Sequence, residues 1–313
     1  MALVLACAYA GAAHAFEGGV SPYPPGATGT NFANFPPIPG LFALEQFNYS
    51  YSNGLYGNDG NKLPIPFRTS VFSATTRVLA SYPFQFLGAN VYSQLVLPFV
   101  SLHTNVYGQK NTQNGLANIT VSPVILSWHP VKNVEVSTGL DIATESGSYS
   151  PTKPSVAVGY TSFQPVLAFR YNNPQGLDIG MSNRLMLNTK NNETGYRSGD
   201  GYVAEFGAGW NIGKWKVGLV GAYLNQYRDD SINGTTVVGN RAKSFQIGPS
   251  IVYDFGPVNI NLNYQQGVYA ANTSKSSSVW FNIAIPLWAK VPKSYTQTAP
   301  MQLQLGEAGA KKE

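Results

Sequence analysis

Val258-Asn259-Ile260-Asn261-Leu262-Asn263-Tyr264-Gln265 alternates strictly between apolar and amide side chains. Successive side chains of a strand point to opposite faces, so this octapeptide carries one oily face and one wet face. The flanking segments repeat the division. Upstream, Phe245, Ile247, Pro249, Ile251 and Tyr253 interleave with Ser244, Gln246, Gly248, Ser250 and Asp254. Downstream, Val279, Phe281, Ile283, Ile285 and Leu287 interleave with Ser278, Trp280, Asn282, Ala284 and Pro286.

Carried through the chain, the same template predicts twelve strands, over residues 41–52, 68–81, 87–103, 116–129, 133–146, 160–172, 176–189, 201–211, 214–228, 243–255, 257–270 and 277–288. Tight connections (His129 to Lys132, Asn172 to Gln175, Asn211 to Gly213, Phe255-Gly256) alternate with long ones (Asn53 to Phe67, Asn105 to Gly115, Lys190 to Asp200, Asp229 to Ala242). Bulk composition agrees. Of 313 residues 43% are hydrophobic and only 11% are charged, against about 25% charged in a soluble domain. No window approaches the roughly 18–20 apolar residues of a membrane-spanning helix, whereas a membrane strand needs only about 9–11. Backbone polar groups inside hydrocarbon must be satisfied internally, which leaves a closed barrel. The expected fold is therefore all-β, a transmembrane antiparallel up-and-down β-barrel of an outer membrane, residues 41–288. An even strand number with short turns on the periplasmic side places both termini in the periplasm.

Met1 to Ala15 is small and apolar and ends in Ala13-His14-Ala15, an A-x-A cleavage pattern, although it lacks a basic start. The mature chain would begin at Phe16. The single cysteine, Cys7, falls in that leader, so disulfides and thiolate chemistry are excluded from the mature protein. Residues 16–40 carry Pro24-Pro25 and Pro36-Pro37-Ile38-Pro39-Gly40 and cannot pair in a central strand. This arm is either extended or folded into the lumen. Residues 289–313 form a polar tail expected to lie unfolded in the periplasm.

Alternation points Arg77, Glu135, Asp141, Arg170, Asp178, Arg184, Glu205 and Lys216 inward. A Lys or Arg on the lipid face costs about 2–4 kcal/mol at midplane. These eight groups fit a polar constriction of opposed charges, and equally a salt-bridge network that fills a lumen. Aromatic residues at strand ends (Tyr82, Tyr171, Trp210, Trp215, Phe255 and Trp288; Tyr49, Tyr51, Tyr202, Tyr227 and Tyr269) suit interfacial girdles. In the first long loop Leu55, Tyr56, Leu63, Ile65 and Phe67 supply an apolar patch, readable as a solute entry or as simple loop packing.

Catalysis has little support. The three histidines are His14 in the leader, His103, and His129 beside Pro130, and none has a triad-like setting. No metal-ligand spacing occurs, and no cofactor is expected. Twenty Lys and Arg against fifteen Asp and Glu are scattered, which argues against nucleic acid. The small basic excess suits anionic lipopolysaccharide.

Several segments resemble the outer-membrane, transporter-like family named after the meta pathway of phenol degradation. They are Pro36-Pro37-Ile38-Pro39-Gly40-Leu41-Phe42, Gly88-Ala89-Asn90-Val91-Tyr92, Pro123 to Pro130, Thr194-Gly195-Tyr196-Arg197-Ser198-Gly199-Asp200 and Gly248-Pro249-Ser250. Gly195 and Asn118 stand where the family pattern generally has Asp, and Ile38 is an addition. The resemblance implies passive uptake of small hydrophobic or aromatic compounds, with outer-membrane lipid and the barrel assembly machinery as partners. The alternative is a non-transporting structural or adhesive barrel. Twelve strands should leave a narrow passage, and the arm is long enough to occupy part of it.

Overall fold

The computed structural model describes residues 15–256 and 258–289. The leader and the tail lie outside these residues, apart from Ala15 and Ala289 at their borders. Thirteen antiparallel strands form one sheet: β1 (Gly40–Ser52), β2 (Phe67–Phe86), β3 (Ala89–Val106), β4 (Gln109–Leu116), β5 (Thr120–Val131), β6 (Val134–Ala143), β7 (Ser162–Asn172), β8 (Leu177–Asn188), β9 (Gly201–Ile212), β10 (Trp215–Gln226), β11 (Lys243–Asp254), β12 (Asn259–Ala271) and β13 (Ser277–Ala289). β1 pairs with β2 (Gly40 opposite Ser81) and with β13 (Gly40 opposite Ala289). The other neighbours follow in chain order, and the circle closes. β4 pairs with the far half of β3 and β5 with its near half, so the two share one position in a twelve-strand ring. A closed ring leaves no sheet edge in the hydrocarbon.

The division of faces is the reverse of a soluble core. In β12 the amides Asn261 and Gln265 are 2% and 0% exposed, while Leu262 and Val268 are 46% and 54% exposed. Polar groups are enclosed, and the apolar half of each strand is left for lipid. At the end where β1 begins, Tyr82, Tyr171, Trp210, Trp215, Phe255 and Trp288 are exposed, and so are Tyr49, Tyr51, Tyr227 and Tyr269 toward the other end. Glu45 breaks the rule. It lies opposite Thr76 and Ile283 on the outward face, beside the outward-facing Phe47–Phe281 stack, and its carboxylate accepts a 3.0 Å hydrogen bond from the Thr76 hydroxyl.

Two expectations need correction. Residues 105–115 are not a long loop. β3 and β4 continue outward and join through Tyr107-Gly108, both with positive φ (51° and 82°) as a two-residue hairpin of primed type requires. Gln109 to Asn114 is polar on both faces because that part of the hairpin stands above the membrane, so no alternation marks it. The strand expected over 133–146 stops at Ala143, and that over 116–129 is interrupted before Thr120. Here the Asn118 amide donates to the Thr144 and Val158 carbonyls (2.7 and 2.8 Å) and accepts from the Val158 N–H (2.8 Å). An Asp could not donate either bond, which accounts for the amide at this position.

Candidate functional site

The lumen is occupied by residues 15–39. They enter the ring at β1 and reach its outer mouth, which corrects the expectation that both ends of the folded chain face the periplasm. At the mouth Phe16 packs on Met186, Val203, Leu224 and Ala242. The Glu17 carboxylate accepts hydrogen bonds from Tyr149 (2.9 Å), Asn191 (2.8 Å) and Thr194, all from outer loops.

Prolines explain how the middle of the arm is held. They leave carbonyls without a backbone ladder, and the amide faces of the strands supply donors. Gln246 donates to the Pro25 carbonyl (2.7 Å), Gln265 to Gly26 (3.1 Å) and Gln46 to Ala27 (2.7 Å). From β9, two strands along the ring from Gln246, Glu205 accepts from the Gly26 N–H (2.7 Å), the Thr28 N–H (3.1 Å), the Thr28 hydroxyl and the Tyr23 hydroxyl (2.7 Å). Gly26 has φ of +96°, and a Cβ there would lie 2.5 Å from the Gln246 amide. Lower down, the Phe32 ring sits on Gly180 and Gly207, where a Cβ would come within 2.6 and 2.9 Å of it. Near the inner rim the Tyr92 hydroxyl donates to the Pro36 carbonyl at 2.8 Å and its ring tilts against Phe35.

All eight charged residues named from the alternation face the lumen, and the structure gathers them into two groups. Toward the periplasmic end Arg170 grips Asp178 through two hydrogen bonds (2.9 and 2.8 Å), with Lys216 on the same carboxylate (2.7 Å) and Glu135 at 3.4 Å. At mid-height Arg184 pairs with Asp141 (2.7 Å), donates to Gln164 (2.8 Å) and lies 4.0 Å from the centre of the Tyr23 ring. Asp141 also accepts from Ser122, which is bonded to Gln94 (3.4 Å). Arg77 then joins Gln94 (3.1 Å) to Gln46 (3.3 Å). A polar belt therefore crosses the barrel from Gln46 through Arg77, Asp141, Arg184 and Tyr23 to Glu205. Four cations meet four carboxylates, so the lumen carries no net charge from this set. Between Thr30, Phe32, Asp178 and Lys216 lies a cleft of about 10 Å³, room for about one water.

The apolar loop residues do not form an open patch. Leu55 and Phe67 are buried on one another and covered by Leu63, Ile65 and Val106, while the Tyr56 ring faces the Lys275 ammonium at 4.6 Å. What sequence reasoning missed is the set of amides, Gln46, Gln246 and Gln265, that hold the arm. Their inward alternation was visible, but nothing in it revealed a partner. Among the described residues no group of three His, Cys, Asp or Glu side chains could hold a metal.

A closed ring of twelve strands, oily outside and polar within, defines an outer-membrane β-barrel of the Gram-negative type. The family profile described as "Putative MetA-pathway of phenol degradation" matches residues 52–283, and the chain belongs to that family. Among solved structures, an outer membrane channel from Pseudomonas putida F1 superimposes with a TM-score of 0.74 at 12% identity, covering 81% of this chain and 97% of that one. The NanC porin (TM-score 0.42, 12% identity, 80% and 100% covered) and the transport unit of the autotransporter AIDA-I from Escherichia coli (0.47, 12%, 80% and 90%) are more distant. No curated protein matches the chain in sequence.

Proposed function

We propose that this barrel is a channel for passive entry of small apolar or aromatic molecules, opened by displacement of its own N-terminal arm. The observation that carries the reading is the arm itself. It runs through the lumen over the height of the ring, held by hydrogen bonds to amides, to the carboxylates of Glu205 and Asp230 and to a few hydroxyls, and by packing of Phe16 and Phe32, with no covalent link between mouth and inner rim among the described residues. Each such bond contributes about 0.5–1.5 kcal/mol, and about 1.5–3 kcal/mol where Glu205 is the acceptor. A plug of that kind can leave without unfolding the ring. The eight charges of the lumen groups sum to zero, which favours neutral cargo. The family's link to phenol degradation supports aromatic solutes in particular. Lipid contacts the outer band, lipopolysaccharide the outer rim, and the barrel assembly machinery the chain during insertion. Two measurements test this reading: bilayer conductance of the full chain against a chain lacking residues 16–39, and uptake of a radiolabelled aromatic hydrocarbon by cells with and without the protein. Higher conductance on deletion, together with protein-dependent uptake, is expected. Silence of both forms and unchanged uptake would instead mark a structural or adhesive barrel.

A further inference from the structure

Asp230 lies in the outer loop between β10 and β11 and is 0% exposed. Its carboxylate accepts hydrogen bonds from the Gly199 N–H (2.7 Å), Gln226 (2.6 Å), Asn240 (2.8 Å), the Tyr196 hydroxyl and the Phe16 N–H (3.2 Å). Every donor is formally neutral. The arginines nearby are committed elsewhere, Arg197 and Arg228 to Asp200 (3.7 and 2.9 Å) and Arg241 to Asp229 (2.8 Å). Burial pushes the Asp230 carboxyl above the usual range in spite of its hydrogen bonds. Buried carboxylates are ordinarily paired with a cation, and among the described residues none is paired with this one.

Ala13-His14-Ala15 is the A-x-A pattern of secretory cleavage, and hydrolysis after it would fall at the bond whose nitrogen faces Asp230. The N–H one residue earlier, that of Ala15, goes to the Asn272 carbonyl (3.0 Å) and meets no carboxylate. Phe16 moreover adopts φ of +62°, a strained region for a non-glycine residue. A residue with no predecessor has no φ, so cleavage there removes the strain.

We propose that the chain is processed between Ala15 and Phe16 and that the freed α-ammonium of Phe16 is the counter-ion of Asp230, tethering the arm at the outer mouth. An endopeptidase of the export pathway adds water across the Ala15–Phe16 amide. The Ala15 carboxylate leaves with the leader, and the Phe16 amine takes up a proton and lies against Asp230 once the barrel has folded. This inference does not depend on what the barrel transports.

The test uses protein extracted from outer membranes in detergent. Mass and N-terminal sequencing should show Phe16 first, and a mature chain beginning at any other residue overturns the proposal. Brief acetylation at neutral pH, read by mass spectrometry, should modify the Phe16 amine at least tenfold more slowly in the folded protein than in urea. Equal rates overturn it. Both measurements need only the wild-type protein. In D230N the amine should react within twofold of the unfolded rate, and protection as strong as in the wild type would show that Asp230 is not its partner.

Discussion

Glu205 Oε1 accepts hydrogen bonds from the backbone N–H groups of both Gly26 and Thr28, at 2.7 and 3.1 Å, so one carboxylate from the wall fixes two turns of the plug. Removing it leaves two buried N–H groups unpaired, each costing about 1–3 kcal/mol. E205A is expected to loosen the arm by about 3 kcal/mol without opening the ring. Bilayer recordings should show longer or larger open events than wild type, while the heat-dependent mobility shift of the folded barrel in SDS gels is retained.

Gly26 combines a left-handed backbone with close neighbours on the wall. With φ of +96°, and with the amide ends of Gln246 and Gln265 only 2.5 and 2.6 Å from where a Cβ would stand, G26A strains the backbone and pushes aside the two amides that hold the turn. The expected result is faster proteolysis of the arm in detergent at unchanged barrel stability. Unaltered cleavage rates would show that the turn is not a fastening point.

Asp178 serves two cations, Arg170 and Lys216. Breaking a buried pair from one side costs about 3–5 kcal/mol because the partner charge stays behind. D178N leaves both cations short of a partner and should lower the unfolding temperature of the folded band more than K216M does, since the latter leaves the Arg170–Asp178 fork intact. Equal shifts would mean that the fork contributes little.

Glu45 presents the opposite case. A carboxylate on the lipid face costs less than the roughly 2–4 kcal/mol of a midplane Arg or Lys, and the Thr76 hydroxyl offsets part of that. E45L is expected to stabilise the barrel by about 1 kcal/mol, measured by urea unfolding in lipid vesicles. Destabilisation would indicate that the Glu45–Thr76 contact outweighs the penalty.

Much of the architecture was legible because lipid on one side and an enclosed polar space on the other impose strict alternation, as β12 shows from Asn259 to Gln265. The pattern failed where that contrast ends. Gln109 to Asn114 forms a strand above the membrane with water on both faces, and Asn118 lifts its neighbours off the ladder through contacts some 26 and 40 residues away. The inward charges could be placed on a face, but not matched as Arg170 with Asp178 or Arg184 with Asp141, because pairing depends on register around the ring. Burial of Leu55 on Phe67 was equally invisible, being a matter of how one loop folds back.

The route of residues 16–39 bears on how the barrel is put together. They precede every strand in the chain, yet they finish inside a ring whose seam joins the first strand, β1, to the last, β13. A nascent barrel can gather its leading segment into an open, curled sheet while the hem is still unsewn. Stitching β13 to β1 then encircles a passenger already aboard, whereas the same peptide offered to the finished protein would have to thread a closed eyelet.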